Sequence, residues 1–374
     1  MKYKLLETDQ ELFELVERFA DEEAVIVDTE FMRRDTFYPL PALVQLCFPS
    51  EPDAAWLIDP LKISDFSPLV RLLQDPDIVK VLHSPSEDLE LFQRFLGCLP
   101  EPMFDTQRAA AFVGLRFGLG YRALLAELAG IEVDKDETRS DWLARPLTQR
   151  QLEYAAADVV PLLPVYRQLC EQLDAKGRMP WVLEDCAAAI AAAIDDPPPY
   201  YLRIKSAWKL SQRQLAVLRD LCEWRDQRAR QRDKPRSWII DDKACLALAQ
   251  SCPEHTDELR QLPELPGSVV RKLGDALLEV VRAAQALSDD ELPAPLPRPL
   301  DAEQRKQLKG VKQAAAVIAR SWEMEPEGLL PSKDYELMVR LANGEPVIAP
   351  ERWSGWRSEL LVKPLLQGLG VGSD

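Results

Sequence analysis

Residues 24–31 read AVIVDTEF, a short apolar run that ends in two carboxylates separated by one residue. The consecutive β-branched residues at 25–27 predict a strand that is buried on both faces of a sheet. Side chains two positions apart on a strand project from the same face, so we expect Asp28 and Glu30 side by side. Two adjacent carboxylates destabilise a buried strand end unless a cation neutralises them. The pattern therefore indicates a divalent-metal site, with a solvated acidic turn as the alternative because D-x-E is a common sequence.

The composition is that of an ordinary folded protein. The 374 residues are enough for two or three domains, and the hydrophobic fraction is 47%. No apolar run approaches the ~20 residues that cross a bilayer, and the first residues lack a signal-peptide core, so we expect a cytoplasmic protein with no membrane partner. The seven cysteines include no C-x-x-C pair, which favours free thiols over a zinc site. No heptad seam demands an obligate protein partner.

Charge is segregated along the chain. The formal net charge of −16 argues against nucleic acid as a ligand, since phosphate binding depends on Lys and Arg. Residues 203–236, however, hold eleven Lys or Arg and only four acidic residues, which leaves a local balance of +7. Such a basic stretch can bind a nucleic-acid strand even when the whole chain is acidic.

The order of elements predicts an α/β core followed by helical domains. A helix is expected near residues 4–20, and short apolar runs predict strands at 24–31, 42–48, 54–59 and 79–82. From residue 106 the pattern is almost wholly helical. Proline-rich breaks at 195–199 and 293–299 predict linkers. We therefore expect a mixed sheet covered by helices and then two small all-α domains.

A tyrosine and two further carboxylates complete the candidate site. In residues 153–160, EYAAADVV, Tyr154 and Asp158 are four apart and so share one helical face. Asp88 lies near the start of another predicted helix. Mg²⁺ and Mn²⁺ prefer oxygen ligands, and two such ions about 4 Å apart can stabilise the attacking and leaving oxygens of a phosphodiester. Taken singly, Asp88 could be a helix-surface acid and Tyr154 a core-edge tyrosine; together the motifs indicate metal-assisted hydrolysis.

In this order the motifs resemble those of the DEDDy family of 3′–5′ exonucleases: D-x-E at 28–30, H-x-x-x-x-D-L at 83–89 and Y-x-x-x-D at 154–158. More narrowly, the chain resembles the bacterial ribonuclease D family through VDTEF, YAAADV, SDW at 140–142 and RPL at 145–147. The resemblance implies a ribonuclease H-like exonuclease domain over residues 1–195. It also implies an HRDC domain over 208–288, carried by RDKPRSW at 232–238, and a more divergent HRDC-like domain over 300–374.

The same resemblance implies a metal-dependent 3′–5′ exoribonuclease that releases 5′-mononucleotides from RNA ends, with transfer RNA precursors among its substrates. It implies two divalent metal ions, Mg²⁺ or Mn²⁺. By position, Asp28, Glu30 and Asp158 would ligate the metal that holds the nucleophilic water. Asp28 would bridge to a second metal supported by Asp88, and Tyr154 would hydrogen-bond the attacking water.

Substrate contacts are less specific in the sequence. Phe31 and Met32 follow the acidic pair and could stack on the terminal base. Gln45 could reach the terminal ribose or be a polar core residue, and His83 could contact substrate or cap its strand. Lys135 could hold a phosphate or be a solvated loop charge. RNA binding by the helical domains is expected from arginines of the basic stretch: Arg225, Arg228, Arg232 and Arg236.

Two other functions fit the motifs. A DNA-directed exonuclease would use the same chemistry, since both substrates present a 3′ hydroxyl and a phosphodiester, and only contacts to the 2′-hydroxyl would distinguish them. A catalytically inert nucleic-acid-binding protein could keep the fold without its metals.

Overall fold

The first part of the chain folds around a six-stranded mixed sheet. The structure, a computed structural model, describes residues 1–133, 140–194 and 197–372. The strands are ordered β1-β4-β3-β2-β5-β6 across the sheet. Their bounds are β1 Lys2–Leu6, β2 Ala24–Met32, β3 Leu40–Cys47, β4 Ala54–Ile58, β5 Val79–Leu82 and β6 Met103–Asp105. The predicted α/β core with a mixed sheet is confirmed.

Strand β2 lies inside the sheet, where it pairs antiparallel with β3 and parallel with β5. Its residues 24–27 are at most 1% exposed, as the continuous β-branched run predicts. The register places Asp28 opposite Gln45 and Glu30 opposite Leu43 on β3. An irregularity between Glu30 and Phe31 then shifts the pairing. The two carboxylates therefore lie where the regular ladder of β2 ends.

Helices cover this sheet, and the regular structure in the rest of the described chain is helical. Eight of them precede the first linker: α1 Asp9–Arg18, α2 Ser67–Gln74, α3 Ser86–Phe95, α4 Thr106–Val113, α5 Tyr121–Ala129, α6 Gln149–Val159, α7 Leu162–Lys176 and α8 Met179–Ile194. Five lie between the two proline-rich breaks: α9 Gln212–Arg232, α10 Arg236–Ile239, α11 Asp242–Ser251, α12 Thr256–Gln261 and α13 Gly267–Gln285. The last four are α14 Ala302–Ser321, α15 Ser332–Ala342, α16 Gly355–Arg357 and α17 Lys363–Gly368. No helix in residues 1–133, 140–194 or 197–372 is long and apolar enough to cross a membrane.

The described residues group into two compact units. The first comprises Met1–Met32, Leu40–Asp195 and Leu300–Asp374, and the second Arg33–Pro39 and Asp196–Pro299. Within the first unit, Arg357 donates to both carboxylate oxygens of Asp185 on α8, and both side chains are buried. Trp181 stacks on Trp356 with ring centroids 4.3 Å apart. The C-terminal helices thus share a hydrophobic core with the sheet, a contact between residues 172 positions apart that local sequence patterns do not reveal.

The second unit is a bundle in which α9 packs on α13 and α11 and which includes the segment 33–39. Asp233 has left-handed backbone geometry at the end of α9, and its Oδ1 accepts the backbone N–H groups of Phe37 and Tyr38 at 2.9 and 3.1 Å. The Phe37 ring is buried, with the guanidinium groups of Arg230 and Arg236 4.8 and 4.6 Å from its centroid. Part of the basic stretch therefore makes contacts inside this unit.

Candidate functional site

Three carboxylates from two elements meet at the end of β2. Asp28 and Glu30 project from the strand and Asp158 from α6, and each offers a ligand oxygen within 4.8 Å of the other two. The same-face rule for strands accounts for the first pair. The third carboxylate is brought in because α6 packs across β2, β3 and β4.

Helix α6 holds Tyr154 and Asp158 on the side of the sheet that carries the strand carboxylates. Its start is fixed by a capping box, in which Thr148 accepts from the Gln151 backbone N–H and the Gln151 side chain accepts from Thr148 N–H. Ala155 and Ala156 are fully buried, and their small side chains allow the helix to lie close to the strands. Sequence and structure agree that residues 154 and 158 share a face.

The segment before α6 is tied to the sheet by Arg145. Its Nε and Nη2 donate to the two carboxylate oxygens of Asp59 at 2.6 and 2.7 Å, and Asp59 is completely buried. The same guanidinium donates to the backbone carbonyl oxygens of Trp142 and Ala42, both at 2.7 Å. A bidentate charged pair of this kind fixes orientation as well as distance. Arg145 of the RPL motif and Trp142 of the SDW motif therefore hold the segment that leads into α6.

The fourth carboxylate is held separately. Asp88, in the first turn of α3, accepts a hydrogen bond from the hydroxyl of Thr29, the residue between Asp28 and Glu30. Asp88 is not one of the three residues whose oxygens cluster within 4.8 Å, although its charge is felt by both strand carboxylates. Thr29 thus connects the acidic strand to Asp88, the fourth carboxylate. Sequence reasoning missed this role because the hydrogen bond joins β2 to α3.

A cavity of about 560 Å³ opens onto the carboxylates. Of the residues predicted from sequence, it is lined by Asp28, Glu30, His83, Tyr154 and Asp158. The structure adds Arg116, Tyr121 and Arg122, which sequence reasoning missed. The segment RFGLGYR at 116–122 was the available signal, since two arginines flank glycines at the start of a helix.

Tyr121 and His83 form one wall of this cavity. Their rings meet edge to face with centroids 5.8 Å apart, and the Tyr121 hydroxyl donates to the backbone carbonyl oxygen of Ala157 at 2.7 Å. His83 Nδ1 lies 2.9 Å from the Thr106 hydroxyl. Burial lowers the pKa of His83, which keeps the ring neutral at pH 7. His83 is therefore an uncharged part of the cavity wall.

When no cation is bound, burial raises the pKa of every carboxyl group in the site, and repulsion by the other site carboxylates adds to this for Asp28 and Glu30. The pKa of Asp28 is raised well above its usual range, first by burial and then by the charges of Asp158, Asp88 and Glu30. Burial, with the charges of Asp158 and Asp88, raises the pKa of Glu30 to about 9. For Asp88 burial outweighs the Thr29 hydrogen bond and raises the pKa to about 6.

For Asp158, two neighbouring groups partly offset the effect of burial on the pKa. Desolvation raises its pKa to about 7, while the positive charge of Arg122 and a hydrogen bond from Tyr154 favour the ionised form. An all-oxygen set of this charge fits a hard divalent cation such as Mg²⁺ or Mn²⁺, which would replace the protons. The site therefore fits the divalent metal that the sequence predicts.

The predicted substrate contacts have different outcomes. Gln45 is fully buried and does not line the cavity, so the structure does not support direct contact with a ribose. Phe31 and Met32 are partly buried and are not among the residues that line the cavity. Lys135 lies outside the described residues.

The arginines of the basic stretch also divide. Arg225 is 1% exposed and pairs with Asp242 at 2.8 Å, so it supports the second unit from inside and the predicted contact with RNA is not supported. Arg236 donates to Asp226. Arg228 lies over the Trp224 ring at 5.4 Å, and Arg232 is exposed. Counting charges overstated the free basic surface, because it cannot distinguish the inner from the outer face of α9.

Two family models match this chain, and several known proteins are similar to it. A family model described as 3′–5′ exonuclease matches residues 3–174, and the HRDC domain model matches residues 214–281. Ribonuclease D of Pseudomonas paraeruginosa is 42% identical, over 92% of this chain and 91% of its own length. Ribonuclease D of Escherichia coli is 39% identical over 98% of both chains. The crystal structure of E. coli RNase D, an exoribonuclease involved in structured RNA processing, superposes with a TM-score of 0.90 at 37% identity, covering 99% of this chain and 98% of that one.

The Thr29 hydrogen bond gives a first prediction. Thr29→Val keeps the shape of the side chain but removes the donor to Asp88, so we expect a loss of about tenfold or more in activity and a higher Mn²⁺ requirement, as for other partners of metal ligands. Thr29→Ser, which keeps the hydroxyl, is the matched control. The measurement is the rate of nucleotide release from an oligoribonucleotide as a function of Mn²⁺ concentration. A Val variant with the same Mn²⁺ dependence as the Ser variant would show that this bond does not matter.

The raised carboxyl pKa values predict how stability depends on pH. Folded carboxyl groups with raised pKa values retain protons that the unfolded chain releases, so the metal-free protein should lose stability as pH rises from about 4 toward about 9. A bound divalent cation replaces those protons, so the increase in Tm caused by Mg²⁺ should grow over the same range. Thermal unfolding in EDTA and in Mg²⁺ between pH 5.5 and 8.5 measures both effects, with Asp28→Asn as the variant in which they shrink. Identical pH profiles for wild type and Asp28→Asn in EDTA would show that the Asp28 carboxyl group does not contribute to the pH dependence of stability.

Proposed function

Since the chain belongs to the ribonuclease D family, and is therefore a 3′–5′ exoribonuclease, we propose how its own residues carry out the reaction. The observation that carries the proposal is the convergence of three carboxylates, from β2 and α6, within 4.8 Å at the cavity. We assign the chemistry to five residues and two divalent cations; the residues are Asp28, Glu30, Asp88, Tyr154 and Asp158.

The carboxylates are proposed as ligands of two cations. Asp28, Glu30 and Asp158 would hold the first, as their clustered oxygens allow. Asp28 would also contact the second cation, which Asp88 would support. The hydroxyl of Thr29 holds Asp88 in place for this role. When bound, the cations lower the pKa of a water molecule and neutralise charge on the leaving oxygen. The carboxylates themselves hold the two cations in place and accept no proton from the substrate.

Tyr154 is proposed to orient the attacking water. Its hydroxyl donates a hydrogen bond to Asp158, which is a group of the metal-binding cluster. With its proton directed there, the phenol oxygen offers its lone pairs to the water in the cavity that both residues line. A hydroxyl in this place positions the water before it attacks the phosphorus atom.

The cavity suits the last nucleotide of an RNA chain. Its volume of about 560 Å³ lies within the usual range of ligand sites. Arg116 and Arg122 line it and supply positive charge where the phosphodiester must lie. Attack on the terminal phosphodiester from the side of the two cations would release one 5′-mononucleotide in each cycle.

We further propose the domain limits and the substrates. The exonuclease domain would span residues 1–195 and an HRDC domain 208–288, and the family models within 3–174 and 214–281 support these two. A divergent HRDC-like domain would span 300–374 and would pack on the exonuclease domain through the hydrophobic core that the two share. Arg228 and Arg232 would contribute to RNA binding by the HRDC domain. Structured RNAs with a single-stranded 3′ tail, including transfer RNA precursors, would be the substrates, in line with the structured-RNA processing of the E. coli relative.

The proposal predicts a metal-dependent ladder of products. With a 5′-labelled oligoribonucleotide that carries a single-stranded 3′ tail, Mg²⁺ or Mn²⁺ should allow shortening by one nucleotide at a time, and EDTA should stop it. Tyr154→Phe should be slower by about 10²–10⁴-fold, since it removes the group that orients the water. Asp28→Asn should abolish shortening, because it removes an oxygen ligand shared by both cations.

Glu153→Gln is the control for these variants, because Glu153 is exposed on the same helix and should be replaceable without loss. A DNA oligomer of the same sequence tests the alternative substrate, and faster digestion of the DNA would favour the DNA-directed enzyme. RNA that is bound but remains intact in both metals would favour the inert binding protein and overturn the proposal.

A further inference from the structure

Gln45 lies beside the first carboxylate of the acidic strand. In the antiparallel pairing of β2 and β3, Gln45 is directly opposite Asp28. Directly opposed residues project from the same face of a sheet, with Cβ atoms about 4.5–5.5 Å apart. The amide of Gln45 is therefore on the face that carries Asp28 and Glu30 and that α6 covers.

The surroundings of Gln45 are otherwise apolar. Its neighbours on the same face of β3 are Leu43 and Cys47, and its partner on β4 is Leu57, all of them fully buried. Gln45 itself is 0% exposed, and neither its amide oxygen nor its amide nitrogen has a hydrogen-bond partner among the residues that the structure describes. Buried amides without partners are rare because they destabilise the folded state. Packing alone therefore gives no reason for a glutamine at this position.

The position does not support direct contact with the substrate. Gln45 is fully buried and is not among the residues that line the cavity. Any effect of Gln45 on the reaction must pass through a neighbouring group on the same face. Asp28, its partner across the strand pair, is the polar residue in that position.

We infer that Gln45 is a positioning residue that donates an amide N–H to the carboxylate of Asp28 when that carboxylate holds a cation. This inference rests on the metal site of the proposed function. A carboxylate has two oxygens and about four acceptor positions, so it can bind a cation and accept an N–H at once. The hydrogen bond would fix the rotation of the carboxylate, as partners of metal ligands do in other sites. The amide is thus unpaired in the metal-free protein and paired in the loaded one.

The test is Mn²⁺ binding to a variant without the amide. Gln45→Met has a similar volume and no donor, and we expect its Kd for Mn²⁺, measured from the EPR signal of free Mn²⁺, to rise about 10–100-fold. In EDTA its Tm should be equal to or higher than that of wild type, because an unpaired buried amide has been removed. Leu43→Met is the matched control, since residue 43 has the same strand, face and burial but lies opposite Glu30. Its Mn²⁺ affinity should be unchanged.

Asp28→Asn in the same titration distinguishes failure of the proposed metal site from failure of the role assigned to Gln45. If Asp28→Asn binds Mn²⁺ as tightly as wild type, the proposed metal site itself is wrong. If Asp28→Asn loses affinity while Gln45→Met keeps it, the metal site stands and the role of Gln45 is overturned. Gln45→Leu is the second variant, and failure of both Gln45 variants to fold in EDTA would overturn the inference by making the amide a requirement of the fold.

Discussion

Four carboxylates held near one another repel each other, and the fold has to keep them together against this repulsion. A flexible chain would relieve it by moving the charges apart, so each carboxylate is fixed to a rigid element. Asp28 and Glu30 belong to an interior strand, and Asp158 belongs to a helix whose start is capped and whose preceding segment is tied to buried Asp59 by Arg145. What remains is a set of carboxyl groups in a poorly solvated place, where bound protons relieve the repulsion in the metal-free protein and a divalent cation would replace them.

The sequence predicts those parts of the site that depend on one element at a time. Alternation along a strand places Asp28 beside Glu30, and helical spacing places Tyr154 beside Asp158, and the structure has both pairs facing the same cavity. It does not predict contacts that join distant segments, because these depend on packing. The hydrogen bond from Thr29 to Asp88 and the cavity wall formed by Tyr121 are of that kind.

The same limit explains the misjudged residues. Arg225 counts as surface charge in a sequence, yet its guanidinium is buried, 4.7 Å from the Tyr200 ring centroid and paired with Asp242. From sequence Gln45 could contact the ribose or be a polar core residue, and the structure buries it on β3, outside the residues that line the cavity. In both cases the residue type is compatible with a surface or a core position, and only the face of the element on which it lies decides between them. The exposed basic surface of α9 is accordingly smaller than the local charge balance indicates.

Crystals grown in Mn²⁺ would test the proposal that these carboxylates hold two divalent cations. An anomalous difference map identifies manganese independently of any activity. We expect two peaks about 4 Å apart at the end of β2, the first contacted by Asp28, Glu30 and Asp158 and the second by Asp28 and Asp88. A map with no manganese at Asp28, from crystals that still bind Mn²⁺ elsewhere, would contradict it.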